Sequence, residues 1–337
     1  MAIPALSRPA LGAVLRSWDL AVEGECQVAT KGVENTNIFF VSGGARWVLQ
    51  VHGGRSFAAV QRQAAILEHL GAASLPVPRL HPARRGRRVA RAWGQPATVL
   101  SFLEGVDFEG RPPNVQSARA IGDLVGRVDR ALARLPIDAM PSPPHELTSL
   151  GETRRRLTRL LRDERARAPA AGVAIPWPAI TSAFDRVDTP GIARLWRALP
   201  RQLIHGDVSA QNLLHEATSG RLTGLLDLGD VVTSARVADL AVTLCHLGFG
   251  GRRILHDSCA ALWAGWSEIV APTAAERAAL PSLVTSRFVK LVVDHAWRDW
   301  YRRPHAGHRP LIAAGVDGLA ALLRSPNALD DLTGERP

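Results

Sequence analysis

The dominant spacing of the apolar residues changes close to Leu103, from mostly strand-like to mostly helical, and that change limits what the chain can fold into. Before it, "ECQVAT", "NIFFVS" and "RWVLQV" are short runs rich in β-branched and aromatic residues, separated by the turn-formers "KGVEN" and "GGA". That is the pattern of antiparallel strands joined by tight turns. "SFAAVQRQAAILEHLGAASLPVP" interrupts them with Val60, Ala64, Leu67 and Leu70 at helical spacing, Gly71 after the periodic stretch and Pro76 beyond, the marks of one amphipathic helix and its end. "RRVARAWGQPATVLSFLEG" supplies two more strands. Past Leu103 the spacing turns helical, around Ala118–Leu135 and Ile192–Leu199, then through "ARVADLAVTLCHLGF", "AALPSLVTSRFVKLVVDHAWRDWY" and "LIAAGVDGLAALL". "LPIDAMPSPPHELTSLGE", rich in Pro and Ser, reads as a long loop between helices. A chain of 337 residues is too long for one small core. The expectation is an α+β fold of two lobes, with residues 1–103 forming a small antiparallel sheet and residues 104–337 a mostly helical lobe.

Two strand-like runs break the helical half, and both end in acids. "LIHGD" carries an apolar strand into a Gly206 turn that leaves Asp207 at its end, with Asn212 across a short loop. "LTGLLDLGD" is a second buried strand ending in Asp227, Gly229 and Asp230. Paired with the first as a hairpin through "HEATSG", it would bring Asp227 beside Asp207. A hard divalent cation such as Mg²⁺ takes oxygen ligands and keeps several waters, a demand met by one carboxylate, one amide oxygen and substrate phosphates. Asp227 and Asn212 are the ligands this predicts. A carboxylate near the metal but not consumed by it can accept the proton of an attacking hydroxyl, and Asp207 is placed for that role.

Composition excludes several other classes. The charge is +10, with 12 Lys and Arg against 5 Asp and Glu in residues 1–100, but the densest basic run, "RRGRRVAR" from Arg84 to Arg91, lacks interleaved aromatics and reads as a solvated hairpin. No nucleic-acid partner is expected. Apolar runs are too short to span a membrane, and no cleavable leader is evident at the start. Cys26, Cys245 and Cys259 are odd in number and form no CxxC pair, which fits a reducing, cytoplasmic setting without disulfides or thiolate metal sites. No HExxH, Walker loop or GxGxxG is present, and Ser209 lacks a Gly-x-Ser-x-Gly elbow, so it reads as a loop hydroxyl. Trp263, Trp266, Trp297, Trp300 and Tyr301 read as core aromatics, with a substrate wall as the other reading.

"HGDVSAQN" followed by "LLDLGD" resembles the catalytic signature of the aminoglycoside phosphotransferase, choline kinase and homoserine kinase superfamily, relatives of the protein kinases. "GVENTNIFFV", "RWVLQV", "LEHLGAASLPVPRL" and "TVLSFLEG" resemble, in order, that family's amino-terminal lobe and hinge, in wording closest to the homoserine and hydroxylysine kinase branches. The resemblance implies a bilobal protein-kinase-like fold and a small-molecule phosphotransferase using Mg²⁺ with ATP or GTP. It makes Asp207 the catalytic base, His205 a support for its loop, Asn212 and Asp227 the metal ligands, and Asp239 a brace behind the loop. Ser101 and Leu103, in the hinge, would meet the nucleotide. The role of Asp230 stays open.

Two positions depart from the family. Where it places a Lys or Arg on the third strand this chain has Gln50, and the partner Glu of the following helix aligns with Gln63. Losing one half of such a pair strands a charge at a cost of ~3–5 kcal/mol, whereas replacing both permits an amide-to-amide hydrogen bond. Positive charge over the phosphates would then come from Lys31 first, or from Arg46 or Arg55. Two alternatives to the kinase remain at this point: a kinase-like binding protein without catalysis, and the same fold with another phosphoryl or nucleotidyl donor. Residues 231–337 carry 12 Lys and Arg against 10 Asp and Glu, which suits a neutral, zwitterionic or acidic alcohol better than a polycation. Homoserine-like amino alcohols fit best, and the sequence leaves the oligomeric state open.

Overall fold

Ser7 accepts a hydrogen bond from the Ala10 N–H and so caps α1 (Arg8–Leu15), after which β1 (Glu23–Val28), β2 (Thr36–Ser42) and β3 (Ala45–Val51) follow as an antiparallel meander. These positions come from a computed structural model that describes residues 7–29, 35–137, 140, 146–163, 172–302, 305 and 307–333. The turn from β2 to β3 consists of Gly43 and Gly44 at φ 60° and 70°, a left-handed pair that side chains would strain. Ser56 caps α2 (Phe57–Ala72), whose Val60, Ala64, Leu67 and Leu70 are buried as their spacing predicts. Then come β4 (Leu80–His81), β5 (Ala90–Ala92) and β6 (Gln95–Ser101). The sheet order is β1-β2-β3-β6-β4, with β5 added on β6. Ile38, Phe40, Leu49 and Val99 point from one face of the sheet into a core shared with Leu11, Leu15 and Trp18 of the first helical segment.

The basic run turns through a short 3₁₀ segment at Arg84–Gly86, and Arg84 and Arg88 pair with Asp19 and Glu68 as exposed ion pairs. It is solvated, as expected.

The chain divides into two compact units. One comprises Met1–Val106 with Leu214–Ala217 and Thr223–Gly229, and the other Asp107–Leu213 with Thr218–Leu222 and Asp230–Pro337. The division is therefore not a single cut in sequence. The strip Thr223–Gly229 is held in the first unit by the Leu225 N–H donating to the Pro76 carbonyl at 2.8 Å.

After β7 (Val106–Asp107) the elements run α3 (Val115–Leu132), α4 (Gly151–Arg162), α5 (Trp177–Val187), α6 (Pro190–Arg197), β8 (Arg201–Ile204), β9 (Leu213–His215), β10 (Leu222–Leu225) and β11 (Val232–Ala235). They close with α7 (Val237–Leu247), β12 (Phe249–Gly250), β13 (Arg253–Ile254), α8 (His256–Val270), α9 (Ala274–Tyr301), α10 (His308–Arg324) and α11 (Asp330–Thr333). Helices α3 and α8 approach closely because they meet through glycine: a Cβ on Gly122 would lie 2.1 Å from the Leu262 carbonyl, and one on Gly265 2.2 Å from that of Arg119. A capping box between Thr273 and Glu276 starts α9. Seven of the eighteen residues of the loop read at 135–152 lie outside the described residues, and its last two already belong to α4. No described helix is long and apolar enough to cross a membrane.

One expected pairing is corrected. The strand of "LIHGD" and the strand of "LTGLLDLGD" do not form a hairpin: β8 pairs with β11, Leu203 opposite Thr233, while β10 pairs with β9. "HEATSG" does make a turn, but it joins the two strands nearest to it in sequence, where loop closure costs least.

Candidate active site

In the helical unit β8 delivers the loop His205-Gly206-Asp207. Gly206 sits at φ 86°, and a Cβ there would come within 2.5 Å of the Asp230 carbonyl, so both conformation and space require glycine. The loop is held from behind. Asp239, fully buried on α7, accepts from the His205 N–H at Oδ2 and from the Gly206 N–H at Oδ1, each at 2.7 Å. Asp230 meets the loop here through its backbone carbonyl.

The Asp207 carboxylate is tied at both oxygens. Oδ1 accepts from Arg287 Nη2 at 2.7 Å, and Oδ2 accepts from Asn212 Nδ2 at 3.1 Å and Ser209 Oγ at 3.3 Å. Asn212 Nδ2 also donates to the Asp207 carbonyl at 2.9 Å, so the amide nitrogen is spent on Asp207 and Oδ1 is the oxygen left for another ligand. Ser209, buried, is the loop hydroxyl its sequence context predicts. Burial pushes the Asp207 carboxyl upward, but the Arg287 guanidinium beside it outweighs burial and holds the acid below its ordinary range. His246 is itself depressed to about 4, first by burial and then by Arg287, and its neutral Nε2 lies 3.3 Å from Arg287 Nη2. Arg287 on α9 escaped the sequence reading, which saw "SRFVKL" only as part of a helical pattern.

Behind Asp239 lies Asp129 of α3, also fully buried. Its Oδ2 accepts from the Trp266 indole at 2.8 Å and its Oδ1 meets no donor. Burial, and then the charge of Asp239, push its acid well above the ordinary range.

The sheet unit carries its own cleft, lined by Gln50, His52, Gln63, Thr98, Leu100 and Asp227 among others. Asp227 is exposed and adopts φ 58°, a conformation an aspartate tolerates because its Oδ1 accepts from the Gly229 N–H two residues on at 3.1 Å. The expected amide-to-amide bond is absent. Gln50 and Gln63 line the same cleft, yet no hydrogen bond joins them, and the buried Gln63 Oε1 has no partner among the described residues. His52 is depressed to about 4 by burial and then by Arg55, and its Nδ1 also lacks a partner.

Of the three cations weighed for the phosphates, Lys31 lies outside the described residues. Arg46 is committed at the surface, bonding Glu104 at 2.7 and 2.9 Å and covering the Phe102 ring at 3.6 Å. Arg55 reaches the Asp227 segment, with Nη1 donating to the Gly229 carbonyl at 2.9 Å. Ser101 is occupied: its Oγ accepts from the Arg79 N–H and its N–H donates to the Arg79 carbonyl, both at 2.8 Å. The Leu103 N–H donates to no described residue, and its side chain packs on Gly224.

The late aromatics do not form one wall. Trp263 and Trp266 pair on α8, while Trp297 and Tyr301 stack on α9 beneath Arg159 and Trp300 meets Trp177. No cluster of three His, Cys, Asp or Glu able to hold a metal exists among the described residues.

The profile of the Phosphotransferase enzyme family matches residues 25–276. The chain belongs to this family. A homoserine kinase of Zymomonas mobilis subsp. mobilis is 28% identical over 285 residues, covering 82% of this chain and 81% of its own. A microcompartment-associated aminopropanol kinase superimposes with a TM-score of 0.68 at 19% identity over 95% of this chain and 98% of its own. A spectinomycin phosphotransferase in complex with ADP and spectinomycin gives 0.66 at 11% identity over 98% of both chains. At such identities the structural likeness shows the fold, which is the protein-kinase-like α+β fold the sequence predicts. Membership makes the chain a small-molecule phosphotransferase acting on a hydroxyl group.

Proposed function

We propose that this phosphotransferase moves the γ-phosphoryl group of Mg-ATP or Mg-GTP to the hydroxyl of a small amino alcohol of the homoserine type. The observation that carries the reading is the Asp207 loop, a carboxylate braced through Asp239, oriented by Asn212 and Ser209 and kept ionised by Arg287. In the transfer the acceptor oxygen bonds to the γ-phosphorus, the bond from that phosphorus to the bridging oxygen of the nucleoside diphosphate breaks, and the hydroxyl proton passes to Asp207. The transition state is loose, so positioning the hydroxyl and stabilising spread negative charge do most of the work. Asn212 through Oδ1 and Asp227 through its carboxylate would hold the Mg²⁺, which supplies neutralisation of phosphate charge. His205 supports the loop.

Arg55 takes the part first assigned to Lys31: its guanidinium already neighbours Asp227, and Gln50 and Gln63 offer the nucleotide amides where the family offers an ion pair. Leu103, with its N–H unspent, would meet the base, while Ser101 keeps the hinge in place. The homoserine kinase relative and the amino-alcohol kinase neighbour support the acceptor class, and the ADP of the spectinomycin phosphotransferase supports a nucleotide donor. Asp207→Asn keeps the shape of the loop and removes the base. It should lower kcat by about 10² or more with nucleotide affinity within a few-fold, on general-base magnitudes, read as nucleoside diphosphate release against a panel of alcohols. Unchanged turnover would remove Asp207 from the mechanism.

A further inference from the structure

Arg287 has more donors than partners. Its Nη2 is shared between Asp207 Oδ1 at 2.7 Å and His246 Nε2 at 3.3 Å, while Nη1 and Nε bond to no described residue, and Nε is fully buried. Other partly buried cations of the helical unit are served differently. Arg236 is matched by both oxygens of Glu276, Arg156 lies between Glu152 and Asp294, and Lys290 donates to the Ser149 carbonyl and Thr153 Oγ1. Among the described residues Arg287, its side chain 21% exposed, has one anion, and that anion is the base.

The chemistry makes this arrangement incomplete. When the acceptor's proton moves to Asp207, the carboxylate loses its charge, and the guanidinium is left partly desolvated without a counter-ion, a costly state. Histidines do not relieve it. His246 and His295, both depressed by burial to about 4 and about 3, stand near Arg287 as neutral rings, and the buried His295 Nδ1 has no partner among the described residues. A second anion arriving with the substrate would keep Arg287 paired throughout the transfer.

We propose that Arg287 binds a carboxylate of the acceptor through Nη1, so that the acceptor is a hydroxy acid of the amino-acid type. One guanidinium then orients both the base and the molecule it deprotonates. The inference rests on the kinase reading above and narrows its acceptor class.

The test uses the full chain with Mg-ATP and two acceptors that differ in the carboxylate, L-homoserine and 3-amino-1-propanol. Wild type should favour homoserine. Arg287→Gln disturbs the base with either acceptor, but it should cost kcat/KM with homoserine at least ~10-fold more than with aminopropanol, chiefly through KM, as loss of a charge-assisted contact does. Arg287→Lys keeps the charge, guards against a folding failure of the glutamine variant, and should recover part of the homoserine-specific loss. Equal losses with both acceptors, or a wild type that prefers aminopropanol, overturn the carboxylate contact and leave the kinase reading standing. A wild type that phosphorylates no hydroxyl in the panel sinks both.

Discussion

The loop that carries Asp207 and the cleft that carries Asp227 treat their polar groups in opposite ways. In the loop, both oxygens of Asp207, both oxygens of Asp239 and the N–H groups of His205 and Gly206 are all bonded. In the cleft, Gln63 Oε1 and His52 Nδ1 are buried with no partner among the described residues, and Gln50 and Gln63 ignore each other. A group whose task is to be in place before the substrate arrives is tied in advance. Groups left unpaired in a cleft carry the cost of their desolvation unless a ligand meets them.

The sharpest way to break the contrast is Asp239→Ala. It strips the acceptor from two loop N–H groups, so kcat should fall by ~10² or more with nucleotide KM little changed, and unfolding should come earlier by ~3 kcal/mol. A full-speed Asp239→Ala enzyme would mean that the loop needs no brace. Next in size, Arg55→Ala should raise nucleotide KM by ~10-fold while sparing acceptor KM, the split expected of a lost phosphate contact. An unaltered nucleotide KM would return the role to Lys31.

Asp129 sharpens the comparison through pH. Its acid is raised by burial, so its favourable contribution is complete below the ordinary carboxylate value of ~3.9 and is lost as pH climbs toward the folded-state value. Asp129→Asn cannot ionise and can still meet Trp266 and Asp239. Its Tm advantage over wild type should therefore be near zero at about pH 4 and grow through neutrality. A difference independent of pH would show that Asp129 does not change its ionisation on folding. The smallest effect belongs to Gln63→Met, which removes an unpaired buried amide. The free protein should be unchanged or stabilised by up to ~1 kcal/mol in thermal unfolding while nucleotide KM rises a few-fold.

The Asp207 loop was legible because its chemistry is local: strand, glycine turn, acid and amide all fall within "LIHGDVSAQN". The first sheet was legible for the same reason, since alternation and glycine turns predict adjacent antiparallel strands. What failed depended on distant partners. The "LIHGD" strand finds β11 across Asp230, and a spacer of turn residues gives no sign that it closes a different hairpin. Arg287 stands eighty residues from Asp207, where helical periodicity marks it only as a polar position. Helix α4 was overlooked because "GETRRRLTRLLR" is dominated by arginine and buries few apolar residues. Helices α1, α5 and α8 were not singled out either, and the amide pair at Gln50 and Gln63 was inferred from a complementarity that the two side chains, though in one cleft, do not use.

The strip Thr223–Gly229 belongs with a unit whose main body ends at Val106. Made on a ribosome at ~5–20 residues per second, that unit must wait on the order of ten seconds after Val106 is polymerised before the segment bearing Asp227 exists. The nascent sheet can assemble early, but its cleft stays without its acid until more than a hundred further residues have been added. A chain truncated by premature termination anywhere in that interval therefore lacks Asp227, whatever part of the sheet it has managed to form.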